Sequence, residues 1–169
     1  MPIAAARIEN VETILVDLPT IRPHQLSMTT VKGQTLMILR IRMSDGIVGV
    51  GEGTTIGGLA YGPESPEGMK LAIDTYFVPI LLQSDPNRIG RTMGAINKAV
   101  QGNNFAKCAV ETALIDALGK RSRVTAAELM GGASMTGCPS PGLWQAAIPR
   151  RTLPKLKRCS RRGGIIFSS

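Results

Sequence analysis

The order of the secondary-structure signals constrains the fold of this chain more than any other feature. Residues 7–17 (RIENVETILVD) and 34–43 (QTLMILRIRM) are rich in β-branched and apolar residues and predict two strands. The turn sequence SDG at 44–46 follows, and residues 47–53 continue as a third, glycine-rich strand. Because a short turn joins the last two strands, the three segments predict an antiparallel meander.

Three helical patterns follow the strands. The sequence SPE at 65–67 offers an N-cap, a proline at the first helical position and an acid in the first turn, and apolar residues continue at helical spacing to about residue 83. Asp85 is a candidate N-cap for a second helix. The clearest stripe lies in residues 105–120, where Phe105, Ala109, Ala113, Ile115 and Leu118 recur at helical spacing. Strands followed by helices predict an α+β fold, a three-stranded meander followed by a helical bundle.

The segment 133–169 differs in composition from the residues before it. It carries seven Lys and Arg residues, four prolines and no acid, whereas residues 1–132 carry 13 basic and 12 acidic residues. Almost all of the net charge of +8 therefore belongs to this segment. Without acids or apolar periodicity it predicts a disordered basic tail. We expect one domain at 1–132 and a tail at 133–169.

The compartment is indicated by what the sequence lacks. No apolar run reaches the roughly 18 residues that a membrane span needs. The N-terminus has neither a basic leader nor a long apolar segment, so we expect no signal peptide. Cys108, Cys138 and Cys159 show no metal or redox spacing, which favours a cytoplasmic protein.

The strongest local signal is GEGTTIGGLAYG at 51–62. Its glycines are compatible with a phosphate loop, but the pattern GxxxxGK[ST] is absent. Ile56, Leu59 and Tyr61 are apolar residues among the glycines, which suits a lid over a small ligand. A packed surface loop remains the alternative at this point.

The remaining polar candidates do not form a catalytic constellation. His24 is the only histidine, in a predicted loop beside Arg22, and such a residue is more typical of a surface than of a ligand site, although the pair could meet a carboxylate. No second histidine, cysteine or acidic cluster completes a metal site or a triad. Glu111 and Asp116 are five residues apart and lie on different faces of the predicted helix, so structural or solvated roles are favoured.

Three stretches, DLPTIRPHQLSM, SDGIVGVGEGTTIGGLAYGPESPEG and GNNFAKCAVETALIDALGK, resemble the muconate cycloisomerases of the enolase superfamily over about residues 7–132. The resemblance implies an enolase-like N-terminal capping domain, with loops near 20–29 and 54–62 that close over the substrate. It implies that His24, Ile56 and Tyr61 contact a bound dicarboxylate, cis,cis-muconate.

In that family two lysines move protons and three carboxylates hold Mn²⁺ or Mg²⁺ on a following (β/α) barrel. The resemblance therefore implies an isomerase of the catechol branch of aromatic degradation that forms homo-oligomers. Because the barrel is missing from the sequence, we expect no catalytic residue, no metal ligand and no activity in this chain, and self-association of the fragment. The alternative is a small non-catalytic binding protein that uses its basic tail.

The genetic code offers a test of the tail. Trp144 is encoded by TGG and the codon of Gln145 begins with CA, so the overlapping triplet is GCA, alanine. With permitted codons up to Ser169, this frame spells LASGDTAKDIAEAEKMLEARRHHIFK, an acid-containing amphipathic helix that ends where the family's lysine motif begins. We therefore expect a frameshift near residue 132, and Lys155 and Lys157 only imitate that motif.

Overall fold

Three antiparallel strands form a sheet in the order β1-β2-β3, in which β1 is Ile8–Gln25, β2 is Thr30–Met43 and β3 is Val48–Thr54. The computed structural model of the chain describes residues 6–25, 30–55, 59 and 62–132. In β2 the alternating residues Met37, Leu39, Ile41 and Met43 are fully buried and form one side of the core. The predicted meander is confirmed.

β1 extends beyond its predicted end. We expected a strand to residue 17 and a loop near 20–29, but β1 continues to Gln25 and β2 begins at Thr30. The pairing with β2 is irregular between Pro19 and His24, where the register shifts. Pro23 is tolerated there because β1 is an edge strand, whose outer N–H groups need no partner strand.

The turn between β2 and β3 requires a glycine. Met43 donates its N–H to the carbonyl of Ile47 (2.8 Å), and Gly46 donates to the carbonyl of Met43 (3.0 Å). Gly46 has φ +81°, a left-handed conformation that a residue with a Cβ rarely adopts. The SDG sequence therefore forms the turn that was predicted for it.

The face of β3 that points to the core is made of glycines. Gly49, Gly51 and Gly53 pair with the buried residues Ile41, Leu39 and Met37 of β2, respectively. At Gly49 and Gly51 a Cβ would collide with the backbone carbonyls of Ala113 and Ala109 on α4 (Asn104–Ser122). The glycines thus let the α4 backbone approach the sheet closely.

The first predicted helix is interrupted by a wider turn. It runs as α1 (Pro66–Ala72), a π-helical turn (Ile73–Phe77) and α2 (Val78–Leu82). Ser65 caps α1 by accepting the N–H of Gly68 (3.1 Å), as its sequence indicates. Pro79 lacks an N–H and its ring would crowd the preceding turn of a regular α-helix, so the π turn provides the room.

The remaining helices complete the core. α3 (Ile89–Ala99) starts later than predicted: its N-cap is Arg88, and Asp85 instead accepts the N–H of Asn87 in the preceding turn. α5 (Ala126–Leu129) was not predicted, although its capping box of Thr125 and Glu128 is visible in the sequence. Within the described part of the chain, no helix is long and apolar enough to cross a membrane.

The stripe predicted for residues 105–120 is correct in part. Ala109 and Ala113 are buried, but Phe105 is 45% exposed. The buried face of α4 runs through Ala106, and Phe105 lies about 100° away from it around the helix. Side chains that complete this face are Ala109, Val110, Ala113, Leu114 and Ala117.

Candidate functional site

The backbone of His24, one of the three predicted substrate residues, lies at the end of the sheet where β3 ends. β3 ends at Thr54, which pairs with Leu36 of β2, whereas the backbone of His24 pairs with Val31, five residues further along the same strand. At about 3.3 Å per residue, His24 lies roughly 16 Å beyond the end of β3. The hairpin of β1 and β2 therefore projects past β3 as a two-stranded ribbon that carries His24.

Side-chain hydrogen bonds hold the chain where it leaves β3. The amide of Gln34 donates from Nε2 to Thr54 Oγ1 (2.6 Å) and to the carbonyl oxygen of Thr55 (3.4 Å). Thr55 is buried, and its hydroxyl has no hydrogen-bond partner among the described atoms. The hydroxyl of Thr20 in β1 is likewise buried and without a described partner.

Glu64 attaches the chain before α1 to the N-terminus of α4. Its carboxylate accepts three consecutive backbone N–H groups at the start of α4, from Asn104 (2.6 Å), Phe105 (3.1 Å) and Ala106 (3.4 Å). The residue is 8% exposed. The partial positive charge at a helix N-terminus and these free N–H groups compensate the buried carboxylate. The sequence analysis missed this residue because its partners are some 40 residues away.

The structure describes the predicted substrate residues only in part. The backbone of His24 is described, but its side chain lies outside the described part of the structure, as do Ile56 and Tyr61. The substrate contacts of these three residues remain predictions. Leu59, from the same sequence motif, is 69% exposed.

The acids of α4 have structural or solvated roles, as predicted. Asp116 accepts the N–H of Val50 (2.8 Å), and Lys120 donates to the carbonyl of Val48 (2.7 Å) while forming an ion pair with Asp116 (2.6 Å). The two side chains thus cover part of the open edge of β3. Glu111 is exposed to solvent.

A second polar cluster joins three turns and also escaped the sequence analysis. The side chain of Arg121 is 8% exposed and donates to Asp45 Oδ2 (2.7 Å) and to Asn87 Oδ1 (2.6 Å). The hydrogen bond from Arg121 is the main cause that holds the pKa of Asp45 below its ordinary value. The cluster fixes the end of α4 to the β2–β3 turn and to the turn before α3.

The described residues do not fit a metal ion. No group of three or more His, Cys, Asp or Glu side chains converges among residues 6–25, 30–55, 59 and 62–132. A cavity of about 250 Å³ lies away from the sheet end, at the turn between α2 and α3, and Asp85 and Arg88 on its wall are paired with each other.

The three-stranded meander with its layer of helices matches an enolase-type N-terminal capping domain. Residues 10–131 match the family described as "Mandelate racemase / muconate lactonizing enzyme, N-terminal domain". The chain therefore belongs to this family, and its relatives place it with the muconate cycloisomerases of the enolase superfamily.

Three relatives show the extent of the similarity. "Muconate cycloisomerase 1-1" of Acinetobacter lwoffii is 59% identical over 129 residues, which are 76% of this chain and 34% of that protein. A chloromuconate cycloisomerase of Pseudomonas sp. strain P51 is 38% identical over 133 residues, 79% of this chain and 36% of that protein. The crystal structure of the Pseudomonas fluorescens muconate lactonizing enzyme with muconolactone has a TM-score of 0.76 and 50% identity, covering 78% of this chain and 36% of that one.

The chain spans about a third of the length of the curated relatives that it matches. The described residues contain the sheet and the helices of the capping domain and no (β/α) barrel. The comparisons do not support the alternative of a small binding protein with a basic tail, since the matched proteins are cycloisomerases.

Proposed function

We propose that residues 1–132 are the substrate-capping domain of an enzyme that converts cis,cis-muconate to muconolactone. The observation that carries this proposal is the 59% identity to a muconate cycloisomerase over 129 residues, 76% of this chain. In the proposed enzyme the side chains of His24, Ile56 and Tyr61 contact the dicarboxylate from the cap side. The position of His24 on the projecting ribbon supports its part in this arrangement.

The chemistry would come from a barrel that follows the cap. Catalytic lysines and carboxylates that bind Mn²⁺ or Mg²⁺ would lie there, and the metal would stabilise an enolate-like intermediate. The cap would exclude water and orient the substrate, as closing loops do in other enzymes. We place the enzyme in the cytoplasm and expect it to form homo-oligomers.

We further propose that residues 133–169 are encoded out of frame and are not a functional tail. The charge distribution supports this, because residues 133–169 contribute +7 of the net charge of +8. Sequencing the gene across codons 115–175 tests the proposal. A single-base difference that restores the alternative frame is expected, and an uninterrupted gene with the same reading would contradict it.

A chimera tests the proposed function itself. Residues 1–132 are joined to the barrel of the Pseudomonas fluorescens muconate lactonizing enzyme, and the loss of the ultraviolet absorbance of cis,cis-muconate is followed with Mn²⁺. We expect turnover by the chimera and none by the 169-residue chain. Absence of turnover in a folded chimera, while the parent enzyme is active, would contradict the proposed function. Turnover by the 169-residue chain above a no-enzyme control would contradict the need for a barrel.

A further inference from the structure

We propose that the exposed face of the first helix, which runs from Pro66 to Leu82 through α1, the π-helical turn and α2, binds a second copy of this chain. The two helices lie antiparallel, related by a twofold axis that passes at Thr75. This inference goes beyond the proposed reaction, since it concerns a surface and not the substrate site. Its test measures association and not turnover, so its failure is distinct from a failure of the proposed function.

The first helix carries apolar residues on two faces. One face lies in the core, where Met69, Ile73 and Phe77 are fully buried. On the other side Leu71 is 67% exposed and Leu82 is 46% exposed. A helix at the surface of a single domain normally has one apolar face towards the core and a polar face towards solvent. The second apolar face is therefore available to a partner.

The arrangement of the exposed residues is symmetric about the middle of the helix. An exposed stripe consists of Gly68, Leu71, Thr75, Pro79 and Leu82, at successive spacings of 3, 4, 4 and 3 residues. The π-helical turn has more residues per turn than an α-helix, which brings Leu71, Thr75 and Pro79 closer to one line. Spacing that is the same in both directions suits an antiparallel pair.

A twofold axis brings the same surface of both copies together, so each position meets the one equally far on the other side of Thr75. Leu71 then contacts Pro79 of the second copy, and Leu82 lies over Gly68, which has no side chain to obstruct it. The stripe is thus complementary to itself. This self-complementarity is the reason that the proposed partner is a second copy and not another protein.

The charges at the two ends of the stripe fit the same arrangement. Glu67 is an exposed acid at the N-terminal end, and its counterpart across the axis is Gln83. Gln83 lines a cavity together with Arg88 and Arg91. Asp85 forms an ion pair with Arg88 (3.5 Å), so one positive charge at this end remains for Glu67 of the second copy.

The size of the surface indicates how tightly the copies associate. The stripe spans residues 68–82, about 22 Å of helix, and Tyr76, which is 57% exposed beside the axis, adds aromatic area. A single helix pair buries less than the roughly 800 Å² per partner of a standard stable interface. We therefore expect a weak dimer, with a dissociation constant of about 10 µM or higher.

Sedimentation velocity of the 169-residue chain over a range of concentrations measures this dissociation constant, and circular dichroism checks the folding of each variant. Leu71→Glu places a charge inside the contact, and we expect the dissociation constant to rise at least about tenfold. Leu18→Glu is the matched control, because Leu18 is 46% exposed on β1 and outside the stripe. It should leave the dissociation constant unchanged.

Charge reversal tests the antiparallel geometry. Glu67→Arg and Arg91→Glu should each raise the dissociation constant about threefold or more, because each places like charges opposite each other. The double variant Glu67→Arg/Arg91→Glu restores opposite charges at both ends of the stripe, and we expect its dissociation constant to return close to that of the parent chain. Unspecific association of apolar surfaces would show no such recovery.

A parent chain that remains monomeric at millimolar concentration would overturn the inference. So would a dissociation constant for Leu71→Glu equal to that of the parent, an equal effect of Leu18→Glu, or a double charge variant that associates no better than the single ones. Should Leu71→Glu fail to fold, Leu71→Ser decides, since it removes the exposed apolar side chain without adding a charge and the inference still requires weaker association.

Discussion

The close approach of α4 to β3 predicts that a single methyl group at Gly51 strongly destabilises the domain. A Cβ at Gly51 would collide with the carbonyl oxygen of Ala109 and lie 2.9 Å from its carbonyl carbon, and the Cβ of Ala113 would be 3.2 Å away. Carbon atoms in good contact are about 3.5–4.0 Å apart. Because the obstacle is the backbone of a helix, no side chain can rotate aside to make room.

The cost follows from the required movement. α4 must retreat from the sheet by about 1 Å or more, and a gap of that size forfeits up to about half of the dispersion energy at each opened contact. Overpacking in cores typically costs about 1–3 kcal/mol. We expect Gly51→Ala to lie at the upper limit, about 3 kcal/mol, which corresponds to a fall in Tm of roughly 10 °C for a domain of this size.

Gly94 in α3 provides the matched control. Nothing lies within 4 Å of a Cβ at that position, and the residue is inside a helix. Gly94→Ala should therefore stabilise the domain by about 0.5–1 kcal/mol. Thermal unfolding of the 169-residue chain, followed by circular dichroism, compares the two variants. A Tm for Gly51→Ala equal to that of the parent chain would refute the packing argument.

Three further predictions follow from other contacts. Because the pKa of Asp45 is lowered in the folded state, its stabilising contribution is present above about pH 4 and is lost as the pH falls through the folded pKa. Asp45→Asn should thus lower the free energy of unfolding by about 1 kcal/mol at pH 7 and by progressively less below pH 4. Urea unfolding measures this difference, and a difference between variant and parent that does not change with pH would contradict the prediction. Met130 is 74% exposed near the end of the described chain, so Met130→Lys should reduce the self-association that we expect of the fragment. Sedimentation velocity measures the association, and unchanged association would contradict a contact through Met130. Trypsin should cleave between Arg150 and Arg162 before it cleaves the domain, and protection of these sites would contradict our proposal for residues 133–169.

Local signals predicted most of the secondary structure. The SDG turn, the serine cap of α1 and the apolar spacing of α3 and α4 each depend on residues within one or two turns of chain. The predicted end of β1 was wrong because local signals there disagree with the pairing in the folded sheet. Two prolines, Pro19 and Pro23, locally favour a loop, whereas pairing with β2 on an edge strand allows the extended conformation to continue.

The contacts around the candidate site could not be predicted in the same way. Glu64 contacts the N-terminus of α4, and Arg121 contacts Asp45 and Asn87, only after the chain has folded. The glycines of the motif at 51–62 were compatible with a phosphate loop, whereas in the structure Gly51, like Gly49, allows the close approach of α4. The local pattern at 51–62 suited a lid over a small ligand, but the assignment of His24, Ile56 and Tyr61 as substrate contacts came from the family resemblance.

A crystal structure of the chimera with bound muconolactone tests the central claim most directly. The quantity to measure is the shortest distance from the ligand to the side chains of His24, Ile56 and Tyr61. Our account predicts that all three lie in contact, within about 4 Å, on the cap side of the ligand. A ligand bound in the barrel with these side chains well beyond contact distance would contradict the claim that this domain supplies the cap side of the substrate site.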